Sequence, residues 1–371
     1  MKTIKLIFLL LSSVVLFLQT SCNSSTTEIP PADDNIKLAW CDNPYKTEKF
    51  TRIGYTLKLW EFKKEGLTLE QVQIIDDATK EKLLIIEKKD LPYIHQDPIP
   101  ESPYFVSDKI NKYYMSFQLP IPLEKAIPAV ISHILVFKDT INNKEVIKEG
   151  GGFAPITTIT PIIVRSPVKG DNWVFLNQST MEYHFYTMFF VNGIWTGERY
   201  AFDNIKLDDN LSEYYKGDPT KNESYFNYGD TLFAIADGMV VEIKDGLPEN
   251  DGNLHNVSFN NLKELGGNYI IMKFQDQYFA FYAHCKKNSI MVKSGDVVKE
   301  GDPIALLGNS GNSDAPHLHF QIGDHPDFFY CQGLPFMLKN YKIIGELGGS
   351  KLTQPVNMNN AFMEHTTVIG F

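Results

Sequence analysis

The chain has 371 residues, of which 43% are hydrophobic, 13% aromatic and 22% charged. That is enough apolar material for the cores of two ordinary domains. Its formal net charge of -10 argues against nucleic acid as a partner, because phosphate binding needs clustered Lys and Arg.

The first element is a targeting segment. "MKTIKLIFLLLSSVVLFLQTSC" holds Lys2 and Lys5, an apolar run from Leu6 to Leu18, and small or polar residues before Cys22. The pattern predicts a signal peptide over 1–21, too short and wrongly flanked for a stable membrane span. Ser21-Cys22 with Leu18 upstream resembles a bacterial lipoprotein box, which implies lipidation of Cys22 and a membrane anchor. Plain secretion, with Cys22 incidental, is the alternative. Residues 22–35, polar and Pro-containing, read as a flexible tether. Cys41, Cys285 and Cys331 remain. Three cysteines without a CxxC pair make neither a disulfide framework nor a Cys-based zinc knuckle, though one bridge could form among them.

Residues 36–160 alternate apolar and polar at period two in runs such as "YTLKLWEF", "KLLIIEKK" and "HILVFKD". This predicts a β-sandwich. "TLEQVQIIDDATKEKL" fits a short helix or a hairpin about Asp76-Asp77. "SPVKGDNWVF" reads as a linker into a second strand-rich domain over 161–371. "YHFYTMFFVNGIWTGERYAFDNIKL" predicts a hairpin centred on Asn192-Gly193. "GLPENDGNLHNVSFNNLKELGG" has no clear period and reads as a long loop, a feature often functional or disordered. The fold class expected is all-β: a sandwich followed by an antiparallel sheet domain.

Chemistry concentrates in the second domain. In "DAPHLHFQI", strand alternation puts His317 and His319 on one face and Leu318 in the core. In "AFYAHC", alternation gives His284 the face of Tyr282. Asp203 follows "RYAF", and Asp is disfavoured in strands. A solvated strand face is the bland alternative for each of these.

The ordered set of an early strand Asp, a "DG" hairpin, "YAH", two Gly-Asp turns, Gly-Asn-Ser-Gly and HLHF resembles the lysostaphin/LytM-type zinc metallopeptidases. Most of these are bacterial endopeptidases that cut peptidoglycan cross-links. The resemblance covers about 199–323. It implies zinc, with Asp203 and His319 as ligands and His284 and His317 as the catalytic pair that polarises water and steadies the transition state. The family's first ligand is a His four residues before the Asp. Here Arg199 stands there, and Ala201 replaces a Gly. A guanidinium donates no lone pair, while a catalytic zinc usually takes three protein ligands and water. If Asn192-Gly193 is a two-residue turn, His184 lies opposite Ala201 and diagonal to Asp203. His184 is thus the substitute ligand expected, and a one-residue slip would turn it away. His255 in the long loop is a second candidate. His325 reads as a groove or surface residue.

Arg199 could pair with Asp203 in a dead site or hold a substrate carboxylate. Tyr282 and Asn309 are candidate groove residues. Three readings stay open. One is a zinc endopeptidase on peptidoglycan peptides in the cell envelope. Another is a degenerate relative that binds peptidoglycan or activates an amidase. The last is a structural lipoprotein whose sandwich docks another envelope protein.

Overall fold

The computed structural model describes residues 36–59, 66–93, 114–157, 159–176, 197–275, 277–364 and 366–371. The signal segment, Cys22, the tether, His184 and the Asn192-Gly193 turn lie outside the described residues. No α-helix occurs among the described residues, so the all-β expectation holds.

The first strands are β1 (Lys37–Cys41), β2 (Tyr45–Lys46), β3 (Phe50–Lys58) and β4 (Leu67–Asp76). They are followed by β5 (Lys82–Glu87), β6 (Tyr114–Pro122), β7 (Ile131–Asp139) and β8 (Lys144–Phe153). One sheet runs β1-β3-β2 with β6 also on β3, and the other runs β5-β4-β7-β8. Alternate residues of both, among them Ile53, Tyr55, Leu57, Val72, Ile74, Phe117 and Leu135, close one core. "TLEQVQIIDDATKEKL" is a hairpin and not a helix. Asp76 accepts the amide of Ala78 at 2.9 Å, and this Asx turn diverts the chain from helix.

The later strands are β9 (Ile162–Val164), β10 (Trp173–Leu176), β11 (Phe202–Lys206), β12 (Thr231–Phe233), β13 (Gly238–Lys244), β14 (Asn268–Phe274) and β15 (Tyr278–Cys285). The chain ends with β16 (Val297–Val298), β17 (Pro303–Leu306), β18 (Leu318–Gly323), β19 (Phe336–Glu346), β20 (Val356–Ala361) and β21 (Thr367–Gly370). Among the described residues the main sheet orders β16-β13-β14-β15-β18-β11-β10-β21-β19-β20, with β9 beside β19, while β12 and β17 form a separate pair. "WVF" at the end of the segment read as linker is instead part of strand β10, with Trp173 and Phe175 in the main core. An apolar aromatic pair of this kind gains more from burial than a linker can offer.

β10 also corrects the hairpin register. Asp203 pairs with Leu176 on one side and His319 on the other. A two-residue turn at Asn192-Gly193 would pair Asp203 with residue 182, whereas the partner of Asp203 on β10 is Leu176. Leu176 fills that lattice position.

The sandwich and the main sheet share packing. Tyr45 of β2 lies in the main-sheet core, its ring 4.8 Å from that of Phe362. Arg52 bonds Glu364 at 2.8 Å, and the Phe362 amide donates to the Lys46 carbonyl at 2.7 Å.

Candidate metal and catalytic site

β11 and β18 run antiparallel with Asp203 directly opposite His319. Leu318 goes into the core, so His317 and His319 emerge on the other face. His319 Nδ1 lies 3.0 Å from Asp203 Oδ1, and His317 Nε2 lies 3.4 Å from the same oxygen.

His284 joins them by a different route from simple alternation. On β15, Tyr282 pairs with Ile270 and Cys285 with Asn268, so two residues oppose Tyr269 alone. His284 takes φ 58° at this bulge. A bulge re-aims a side chain. It turns His284 away from Tyr282, which faces the main core, and brings its ring to 4.6 Å from His317 and 6.0 Å from His319. The left-handed backbone of this non-glycine residue is a local cost, accepted here where it turns His284 toward the other two histidines.

Each imidazole has one nitrogen anchored. His284 Nδ1 lies 2.7 Å from the Ser310 carbonyl, and His317 Nδ1 lies 2.8 Å from the Ala315 carbonyl. His319 Nε2 lies 3.0 Å from Gln321 Oε1. The Gln321 amide is itself oriented, because its Nε2 donates to the Phe328 carbonyl at 3.0 Å. These oxygens only accept, so the anchored nitrogens carry the protons. In the neutral ring the opposite nitrogen then holds a lone pair. For His319 that lone pair meets a carboxylate, which calls for a cation between them: a metal ion or a proton.

Burial disfavours the imidazolium of His319. The hydrogen bond and charge of Asp203, with help from Glu198 and Gln321, outweigh it and hold the pKa up at about 9. His284 moves the other way. Burial first, and then the neighbouring His317 and His319, push it well below the ordinary histidine value, so it is neutral near pH 7.

The loop before β18 is wired from a distance. Asn250 Nδ2 donates to the carbonyls of Asn309, Gly311 and Ser313. Gly267 passes so close that a built Cβ would stand 2.4 Å from the Ser310 carbonyl carbon. The long loop read without a period is therefore a brace for the HLH segment. Gln321, Ser310 and Asn250 were not singled out in the sequence. Gln321 could have been, since alternation places it on the face of His319.

The three candidate substrate-binding residues require correction. Arg199 is fully buried and bonds Asp42 at 2.9 Å and Thr56 at 2.7 Å. Tyr282 is buried and its hydroxyl accepts the Ile235 amide at 3.0 Å. Asn309 is buried and donates to Asn222, Asn250 and Gly252. None offers a surface to a ligand, because all three are buried and the groups named above bond within the protein. His255 lies near Asp314, 3.5 Å away, and His325 accepts the Asp327 amide in a turn. Cys41, Cys285 and Cys331 are all buried.

Asp203 and His319 suit zinc in type, one carboxylate oxygen and one imidazole nitrogen with a second-sphere partner. Among the described residues, no group of three His, Cys, Asp or Glu closes a metal site. The fit is two donors of the usual three.

Residues 224–327 match the family described as Peptidase family M23. Asp203 lies before that span. Over 56 residues the chain is 43% identical to the peptidoglycan DD-endopeptidase ShyB of Vibrio cholerae, covering 15% of this chain and 13% of that one. Over 94 residues it is 33% identical to the murein hydrolase activator NlpD of Escherichia coli, covering 25% of this chain and 20% of that one. The solved catalytic domain of lysostaphin from Staphylococcus simulans is 27% identical over 32% of this chain and 88% of its own length, with a TM-score of 0.22. The chain spans about a fifth or less of the curated relatives it matches. From residue 224 to residue 327, this chain carries a domain of peptidase family M23.

Proposed function

We propose that this chain is a zinc-dependent endopeptidase that hydrolyses peptide bonds of peptidoglycan cross-links in the bacterial envelope. The reading is carried by one observation: His319, with Nε2 anchored by Gln321, presents Nδ1 to the Asp203 carboxylate at 3.0 Å. When bound, zinc supplies Lewis acidity toward a water and a carbonyl oxygen. Asp203 and His319 are two of its ligands.

The third ligand is His184. Its segment begins at Leu176, the β-partner of Asp203, and the eight residues from 176 to 184 reach about 26 Å when extended. That length of chain keeps His184 within range of Asp203.

His284 is neutral near pH 7 with its Nδ1 proton committed to Ser310. Its Nε2 accepts a proton from the attacking water and later returns it to the leaving amine. His317, with Nδ1 committed to Ala315, steadies the site beside it. The segment ending at Cys22 directs export, and lipidation of Cys22 anchors the chain to the membrane. The sandwich offers a surface to an envelope partner.

A second reading is favoured by Arg199. The position where the resemblance expects a His is buried in an ion pair and supplies no ligand. In that reading the domain binds peptidoglycan or activates a cell-wall amidase without zinc. Zinc analysis of the purified protein, with a peptidoglycan cleavage assay, separates the two. A His184→Ala variant that keeps its full zinc content overturns the ligand assignment.

A further inference from the structure

We propose that Asp42 and Thr56 of the N-terminal sandwich are positioning residues for Asp203, acting through Arg199 and Tyr200. This inference rests on the reading of Asp203 as a ligand and adds what holds it.

The carboxylate of Asp42 gathers three donors. Oδ2 accepts Arg199 Nη1 at 2.9 Å and the Tyr200 hydroxyl at 2.6 Å, and Oδ1 accepts Trp40 Nε1 at 2.6 Å. Arg199 Nη2 donates to Thr56 Oγ1 at 2.7 Å, which is in turn 2.9 Å from Ser116 Oγ. The side chains of Arg199 and Asp42 are both 0% exposed. A charge pair sealed from water resists displacement, because moving one partner leaves the other's charge buried and under-compensated.

The packing is as tight as the bonding. A Cβ built on Gly54 would stand 2.1 Å from the Tyr200 hydroxyl and 2.8 Å from Asp42 Oδ2. Glycine at 54 is thus the space into which Tyr200 reaches. The Tyr200 ring meets Tyr45 edge-on at 5.4 Å. Two residues on, Phe202 packs on Phe175, Phe336 and Phe362. Asp203 follows at once. The short run from Arg199 to Phe202 is gripped by the sandwich at one end and by the main core at the other. The residue at 199 has become the point from which the sandwich sets the strand that carries Asp203.

The test uses the full chain in four forms beside wild type: Asp42→Asn, Gly54→Ala, Thr56→Val and Thr56→Ser. Hydrogen exchange of the 202–206 amides is compared with that of 270–274, and Co(II) alone is titrated to read the visible spectrum of the metal site. The expected result is exchange at 202–206 faster by about tenfold or more in the first three variants, with 270–274 unchanged. Cobalt binding in them weakens and its spectrum changes, and Thr56→Ser, which keeps the hydroxyl, restores both. Folded Thr56→Val and Gly54→Ala proteins with wild-type exchange at 202–206 would overturn the proposal. So would a cobalt-binding wild type whose spectrum and affinity survive all the substitutions. A wild type that takes up no cobalt counts against the metal reading alone, and the exchange comparison still decides the positioning role.

Discussion

His319 presents Nδ1 to Asp203 Oδ1 at 3.0 Å across a strand pair in which the two residues are direct partners. A proton holds the two atoms together, and on the function proposed above a metal ion would take its place. Protonation wins without metal near neutral pH, since the His319 pKa stands at about 9. Metal uptake must displace that proton. Below pH 9 the apparent zinc affinity should therefore weaken by about tenfold per pH unit as pH falls. Competition titrations at pH 6, 7 and 8 measure it. A flat affinity across that range would show that His319 is not a ligand.

Gln321 sets which nitrogen of His319 faces Asp203. Gln321→Leu removes the acceptor at Nε2 and should weaken metal binding by about 10–100-fold, with little change in thermal stability relative to that loss. Gln321→Glu keeps an acceptor and should retain most of the affinity. Equal losses in both variants would mean that the tautomer is not the cause.

Arg199 and Asp42 are a buried pair, so removing one strands the other. Arg199→Met should cost about 3–5 kcal/mol in urea unfolding, whereas the combined Arg199→Met and Asp42→Asn change should cost clearly less than the sum of the two. Additive costs would place the two charges in independent environments.

His133 lies in the sandwich core, its ring 0% exposed and its Nε2 2.8 Å from the Tyr55 hydroxyl. Burial lowers its pKa from 6.5 to about 4. The unfolded chain then binds the extra proton between pH 6.5 and 4, so stability is lost as pH falls through that window and is present above it. The contribution falls by about 2 kcal/mol from pH 7 to pH 5. Urea midpoints at the two pH values measure it, and His133→Gln should flatten the difference. An unchanged pH slope in that variant would assign the loss to other groups.

The all-β class was legible because period-two runs such as "KLLIIEKK" and "HILVFKD" leave no helical face. The HLH pair was legible for the same reason. His284 was only half legible: its motif marked it, but its face depends on a bulge that alternation cannot see. Arg199 was misread as a site residue because its partners, Asp42 and Thr56, lie more than a hundred residues away in sequence. Long-range ion pairs leave no local signature. "DNWVF" looked like a linker since a four-residue strand next to Gly-Asp shows too few alternations to count.

The metal content of the full chain, measured together with release of peptide fragments from peptidoglycan, tests the proposed function most sharply. About one zinc per chain is expected, lost on Asp203→Asn, and fragment release should disappear in His284→Ala while zinc is kept. Purified protein that carries no zinc after incubation with the metal and cuts no peptidoglycan would contradict that function.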